Sequence, residues 1–532
     1  MLLSRYTVLG ISVVAALVSG YYLPNIWAVP LFAVATCLTV LGIHDLTQPV
    51  HSVRRNYPII GRLRWFFEEI RPEIRQYLIE GDQEKVPFSR AQRSLVYQRA
   101  KNQTSDIAFG TLVDVYQNGY EFIAHSTRPA PPADPETFRV PIGGKDCTQP
   151  YSASIFNISA MSFGSLGANA ILALNRGAKL GGFAHDTGEG SISPYHREHG
   201  GDLIWEIGSG YFGCRTADGN FDPVRFAEQA ADAQVKMIEI KLSQGAKPGH
   251  GGILPAEKIT AEIAATRGIP MEEDCVSPAR HRAFSTPMEL VQFIAQLRRL
   301  SGGKPVGFKL CVGQPWEFMG IVKAMRAASI FPDFIVVDGA EGGTGAAPQE
   351  FTDHLGMPMR ESLLFVHNTL VGAGVRDQIK VGAAGKIVSA FDIAAAMALG
   401  ADWVNAGRGF MFALGCIQSL SCHTNRCPVG VATQDRARQR ALVVPDKAER
   451  VHNFHRSTLA ALSEMIAAAG LEHPSRIGPH HLVRRVSLTE IRMFSQLHIF
   501  LKDGELLTDN HDRDFYSAAW RLAQVDSFGM AA

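Results

Sequence analysis

The sequence predicts an α/β chain, a (β/α)8 barrel of the TIM type preceded by a transmembrane helical hairpin and flanked by helical segments. Three observations predict it. Residues 6–44 contain no Asp, Glu, Lys or Arg. From Tyr151 onward, eight short apolar runs each lead through a loop, most of them glycine-containing, into a helical pattern. The chain has 532 residues, enough for a large core, and its 50 glycines exceed the usual share of about 7%, as many tight turns require. The expected division is 1–50 hairpin, 51–140 helical region and proline-rich connector, 141–440 barrel, and 441–532 helical C-terminal region.

The apolar segment splits at Pro24-Asn25 into "YTVLGISVVAALVSGYYL" and "IWAVPLFAVATCLTVLGI". At about 1.5 Å rise per residue, each half comes close to crossing a hydrocarbon core of about 30 Å. A cleaved signal peptide with Arg5 as its basic region is the competing reading, and the second apolar run argues against it. Arg54, Arg55, Arg62 and Arg64 follow the second run, so the bulk of the chain and the short N-terminus are expected on the cytoplasmic side of an inner membrane. Scattered single cysteines agree with a reducing compartment. A formal charge of +1 provides no field for steering nucleic acid, so no such partner is expected.

From His51 to about Ala124 the pattern reads as amphipathic helix, as in "GRLRWFFEEIRPEIRQYLIEG", where Phe66, Phe67, Ile70 and Ile74 recur at helical spacing. That reading makes it a packing layer between membrane and core. "RPAPPADPE" (Arg128 to Glu136) is then a proline-rich connector. The strand-bearing runs are "SIFNISAMSFGS", "GGFAHDTGEGS", "VKMIEIKLSQGAKPGHGG", "PVGFKLCVG", "DFIVVDGAEGGTGAAP", "IKVGAAGKI" and "ADWVNAGRG", with a weaker strand near "GSGYFGCR". A doubly wound sheet would show similar alternation but would bring a Gly-rich dinucleotide fingerprint after its first strand, and none is present.

At the last two strand ends, "VGAAGK" and "NAGRG" place Gly382, Gly385 and Gly407 where backbone N–H groups can approach a phosphate, with Arg408 as a charged clamp. The eighth strand leads into "GCIQSLSCHTNRCPVGVAT", which holds Cys416, Cys422 and Cys427 within twelve residues. Three thiolates in one loop suit a three-iron cluster; zinc would need His423 as a fourth ligand, and a trio of buried structural thiols is the plain alternative.

"NISAMSFGS", "HDTGEG", "KLSQGAKPGHGG", "DGAEGGTGAAP" and the cysteine spacing, in this order from about Tyr151 to Asp435, resemble the FMN-binding synthase domain of glutamate synthases, and more closely the shorter stand-alone glutamate-synthase-like proteins. The resemblance implies a barrel that binds FMN and a 3Fe-4S cluster held by Cys416, Cys422 and Cys427. In it, reduced flavin delivers hydride to 2-iminoglutarate formed from 2-oxoglutarate and ammonia.

Carried over residue by residue, the resemblance puts Met161 and Ser162 against the flavin at the first strand end, with Thr187 and Glu189 beside the site. Gln244 meets the flavin ring, Lys247 faces the carboxylate of an oxo acid and Arg267 is a second carboxylate partner. Lys309 takes the place of the cation near flavin N1 and O2, and Gly342, Gly343 and Thr344 line the cofactor from the sixth strand. Lys247, Gln244 and Glu189 are therefore the catalytic candidates, with Lys247, Arg267 and Ser162 on the substrate. Independently, an apolar strand ending in Lys241, Gln244 and Lys247 has to turn those polar groups to water or to a ligand. Lys241 alone reads equally well as a surface lysine, and Glu239 and His250 are not assigned.

The chain departs from the glutamate synthase pattern in five ways. The glutaminase domain, the C-terminal β-helix and an NADPH module are not in the sequence, so ammonia is expected from solution or a partner and electrons from an external donor protein. Ile253 stands where glutamate synthases commonly carry Gln, and Tyr211 where they commonly carry Arg. An enzyme of the N-methylglutamate synthase kind, using another amine, and an electron-transfer protein making no amino acid stay open beside the leading reading, as does assembly into a homo-oligomer.

Overall fold

The computed structural model describes residues 5–84, 87–508 and 514–531. The chain falls into two compact units that divide after Glu84.

In the first unit, helices α1 (Thr7–Tyr21) and α2 (Ala28–Thr47) form the expected hairpin. They pack through small and hydroxylated side chains: Thr39 Oγ1 donates to Ser12 Oγ (3.2 Å), and a Cβ on Gly42 would press on Leu9. The two are unequal. Among the described helices, α2, of 20 residues, is the one long and apolar enough to cross a membrane by length and composition, whereas α1 has 15 residues, about 22 Å of helix. Asp45, fully buried at the end of α2, accepts from Arg62 Nη2 (2.6 Å) and from the Ile59 backbone N–H, which fixes the chain as it leaves the hairpin. The following helix, Arg62–Ile74, has no buried residue. Residues 1–4, which the hairpin reading places on the cytoplasmic side, lie outside the described residues.

In the second unit eight parallel strands close into a barrel: β1 (Phe156–Ile158), β2 (His185–Asp186), β3 (Leu203–Ile207), β4 (Val235–Lys241), β5 (Val306–Leu310), β6 (Phe334–Asp338), β7 (Lys380–Ala384) and β8 (Trp403–Ala406). Each pairs with its sequence neighbours, and β8 closes on β1 with Val404 opposite Phe156. Seven strands lie where the sequence places them. The third is "LIWEI", just upstream of "GSGYFGCR", which itself forms the loop; its five buried residues make a run too apolar to show the alternation of a half-buried strand.

Helices after the strands start on readable signals. Pro223, Pro287 and Pro315 occupy first helical positions, and Asp222, Thr286 and Ser389 cap N-termini through their side chains. Fully buried Trp205, Trp403, Phe308 and Phe334 belong to the core around the sheet. The helix Val444–Ala468 packs on Ala168–Gly181 at Gly177, where a Cβ would collide with Val451.

The flanking segments are less helical than expected. Helix gives way to turns after Ala100, and Glu121–Ile123 is a strand paired with Leu482–Arg485 in a three-stranded sheet. Glu121 binds this sheet together by accepting from Arg360 (2.6 Å) and Arg484 (2.8 Å). These strands are only three or four residues long and join segments far apart in sequence, so local periodicity does not reveal them.

Candidate active site

The C-terminal ends of the strands bring together most of the expected residues. Lys241 ends β4, and the loop after it carries Gln244 and Lys247. Two close approaches shape this loop. A Cβ at Gly245 would collide with the carbonyl of Gly339 after β6, and one at Gly252 would collide with Glu189 Oε1 after β2. Gly245 N–H also donates to Asp338 Oδ2 (2.8 Å), tying the loop to β6.

Around Glu189 the structure gathers three cations. Lys241 Nζ lies 3.1 Å from Glu189 Oε1, and the charges of Arg267 and Lys247 also act on it. Burial alone would raise the Glu189 carboxyl, but Lys241, Arg267 and Lys247 together hold it below its ordinary value. It is therefore ionised at neutral pH. Lys247 is 2% exposed, and its ammonium hydrogen-bonds to none of the described residues; burial pulls it below the ordinary value against the attraction of Glu189, with Lys241 adding to the pull. Arg267, 4% exposed, donates through Nη2 to the Phe163 carbonyl (3.1 Å) and Ser162 Oγ (3.3 Å), and its buried Nε has no partner. The Gln244 amide hydrogen-bonds to no protein group.

Three loops meet at a second point. Arg408, opening the helix Arg408–Leu414 after β8, reaches only Met411 Sδ (3.4 Å) and the Thr344 carbonyl (3.4 Å), and a Cβ on Gly343 would collide with it. Among the described residues no carboxylate pairs with Arg408. A Cβ on Gly407 beside it would make ordinary contact with Met161 Sδ (3.7 Å), which follows β1. Met161, Gly343, Thr344, Gly407 and Arg408 thus form one cradle with an unpaired guanidinium, which suits a phosphate.

Four expected residues make their contacts within the protein. Gly382 lies inside β7 against the Trp403 ring, so its missing side chain makes room for packing and not for a phosphate; Gly385, at the strand end, packs on Met359. Thr187 is fully buried, and its hydroxyl donates to the Gly188 carbonyl (3.0 Å) and accepts from the Glu206 N–H (3.2 Å), so it buttresses the turn that presents Glu189. Lys309 points into the barrel, where it pairs with Glu206 and with Glu239 Oε1 (3.2 Å). Asp186, Glu206 and Glu239 converge there within 4.8 Å of one another. Burial pushes the Glu239 carboxyl up to about 7 even though Lys309 opposes it, and the surrounding carboxylates raise the Lys309 ammonium in spite of burial. Strand alternation decides these placements, and short strands do not announce their phase in sequence.

The two family departures are also placed. Tyr211 is fully buried with φ of 49°; its hydroxyl meets His281 Nδ1 (3.1 Å) and accepts from Ala283 N–H, and His281 Nε2 donates to the Lys241 carbonyl (2.8 Å). It therefore props the end of β4 from behind. Ile253 pairs with Val276 in a small hairpin and is partly exposed.

The cysteine loop begins where Gly415 ends the helix after β8 in the left-handed region (φ 107°). Tyr97 Oη donates to the Cys416 carbonyl (2.6 Å). Cys422 lies beside the β6 loop, its carbonyl 3.9 Å from a Cβ built on Gly345. His423 is exposed, and the three thiols with His423 do not converge within 4.8 Å, whereas tetrahedral zinc with Zn–S of about 2.3 Å requires sulfurs within about 4 Å.

A model of the "Conserved region in glutamate synthase" matches residues 135–472. The chain belongs to the glutamate synthase family. The glutamate synthase large subunit-like protein YerD of Bacillus subtilis (strain 168) is 38% identical to it over 83% of this chain and 91% of that protein. The archaeal-type glutamate synthase (NADPH) of Thermotoga maritima is 35% identical over 63% of each chain, so this glutamate synthase family member spans less than two thirds of that relative. Among solved structures, a mutant flavocytochrome b2 with pyruvate bound overlaps at a TM-score of 0.40 with 13% identity over 84% of this chain and 91% of that one, a likeness too distant to carry an argument. The matched region contains Glu189, Lys241, Lys247, Arg267, Arg408 and all three clustered cysteines.

Proposed function

We propose that the chain is a membrane-tethered FMN and iron-sulfur oxidoreductase of the glutamate synthase type that reductively aminates an oxo acid, 2-oxoglutarate with ammonia giving glutamate. The observation that carries this is the charge balance around Glu189. Three cations, Lys241, Lys247 and Arg267, face one carboxylate, which leaves two positive charges in a largely buried pocket. A dicarboxylate supplies two negative charges. The Lys247 ammonium has no partner among the described residues and Arg267 an unsatisfied Nε, so each gains on ligand binding what burial has withheld.

The Arg408 cradle fits the phosphate of FMN, and the cysteine loop fits an iron-sulfur cluster. Bound FMN, once reduced, supplies the hydride, and the cluster supplies one-electron transfer to it. The protein's own groups do the rest. Lys247 and Arg267 hold the two carboxylates and so fix the carbon between them. Glu189, ionised, is an anion beside the site that can draw in an ammonium ion. Burial of Lys247 and Arg267 keeps water out and strengthens their fields.

Tethering rests on α1 and α2, whose exposed faces carry Ile11, Val14, Leu17, Leu31, Val34 and Val40. An apolar surface of this kind is costly in water and favourable in lipid. Tyr21, Tyr22 and Trp27 at the turn between the helices are exposed, as residues of an interface are. The arginines after α2 then keep the barrel on the cytoplasmic side of the inner membrane.

The test is a panel of oxo acids given with ammonia to the anaerobically reduced protein. Dicarboxylic 2-oxoglutarate should reoxidise the flavin well ahead of monocarboxylic pyruvate; equal rates would remove the charge argument.

A further inference from the structure

The loop that carries Lys247 to the substrate pocket ends at a second buried lysine. Lys258, 3% exposed, donates from Nζ to the carbonyls of Ser165 (3.0 Å) and Cys422 (3.2 Å). Among the described residues its ammonium pairs with no carboxylate, and the chargeable groups acting on it include the Cys422 and Cys427 thiols, with Arg267 opposing. The neighbouring Asn425 Nδ2 donates to the Glu257 carbonyl (3.4 Å), so the cysteine loop is laced to the turn that holds Lys258.

A buried ammonium without a counter-charge is costly. Lys304 shows how the fold tolerates one elsewhere: its Nζ donates to the carbonyls of Ala230 and Asp232, at the C-terminal end of the helix Pro223–Ala230, where the helix dipole places negative charge. Lys258 has no helix end. Its carbonyls come from two loops, and the groups beside it able to become anions are the thiols. The charge is therefore unbalanced until those thiols are thiolates holding a metal group of net negative charge.

We propose that Lys258 is a positioning residue for the group bound by Cys416, Cys422 and Cys427: its fixed positive charge makes that group easier to reduce. The inference rests on the iron-sulfur reading above. Reduction adds one electron to the cluster with no bond made or broken, and a positive charge next to Cys422 lowers the energy of the more negative, reduced form. Because Cys422 lies between Lys258 and the β6 loop that lines the Arg408 cradle, the residue acts on the electron where it passes toward the flavin.

The experiment is an anaerobic dithionite titration of the full-length protein, with the cluster followed by its EPR signal and iron measured in parallel. It compares wild type with Lys258→Gln, which keeps a donor without charge, and Lys258→Arg, which keeps the charge. Lys258→Gln with full iron should need a lower potential, with the ratio of reduced to oxidised cluster falling about tenfold at a fixed potential, 59 mV for a one-electron couple; Lys258→Arg should stay near wild type. If Lys258→Gln loses iron and Lys258→Arg retains it, the loaded loop needs the charge, which also supports the proposal. A wild-type potential in iron-replete Lys258→Gln overturns it. Equal loss of iron in both variants overturns it too, because the role is then one of shape. Wild type without iron instead refutes the cluster reading itself.

Discussion

Lys247 is held in place by glycines. Gly245 lets the loop pass the Gly339 carbonyl and Gly252 lets it return beside Glu189, and the lysine between them is left buried, its ammonium without a partner among the described residues. Lys247→Ala should raise the KM for 2-oxoglutarate about 10- to 150-fold, the effect of losing a charge-assisted hydrogen bond of about 1.5–3 kcal/mol, while FMN stays bound. An unchanged KM would place the carboxylate elsewhere. Glu189 yields a pH prediction with a definite sign. Its carboxyl is depressed below the ordinary 4.5, so its contribution to stability is present above 4.5 and is lost as pH falls through the lower folded value. The difference in Tm between wild type and Glu189→Gln should therefore be largest near neutrality and shrink below about pH 4.5; a gap that widens in acid contradicts the assignment. At this scale the sequence was legible where a polar residue follows an apolar strand, as with Lys241, Gln244 and Lys247. It was not legible where side-chain phase decides, as with Gly382 and Lys309, nor for Lys258, which in sequence is one more lysine in a turn.

Among the elements, the cysteine loop and the hairpin each have a separable role. Cys422→Ser should remove most of the iron and the visible charge-transfer absorption, while FMN, held by other strand ends, partly persists. Stoichiometric zinc and no iron in wild type prepared without oxygen would contradict the cluster. The unit boundary after Glu84 gives the second prediction. Removing residues 1–84 should turn a protein that sediments with membranes into a soluble flavoprotein, and full-length protein soluble without detergent would count against the tether. Seven of the barrel strands were readable because a short apolar run leads into a loop, most often glycine-containing, a signal that owes nothing to distant contacts. The three-stranded sheet formed by Glu121–Ile123, Leu482–Arg485 and Ile491–Met493 was not, since its pairing depends on segments brought together only by folding.

Taken as a whole, the molecule gathers the cluster around Glu189, the Arg408 guanidinium and the cysteine loop on loops from one end of a single barrel. Glu189 and Arg267 frame the pocket, Arg408 the cradle, and Cys422 and Lys258 the seam between the thiols and the substrate loop. The thiols lie next to the β6 loop, the β6 loop next to Arg408, and the β4 loop with Lys247 next to β6, which is the order of the electron route in the proposed function. The central claim is that electrons arriving by this route end on an oxo acid. It is tested most directly by reducing the purified holoprotein anaerobically and following flavin absorbance on addition of 2-oxoglutarate with ammonia. The account predicts reoxidation that requires both compounds and forms glutamate in proportion to the flavin oxidised. Flavin that stays reduced with every oxo acid and amine, and is reoxidised only by a quinone or a protein acceptor, would contradict it.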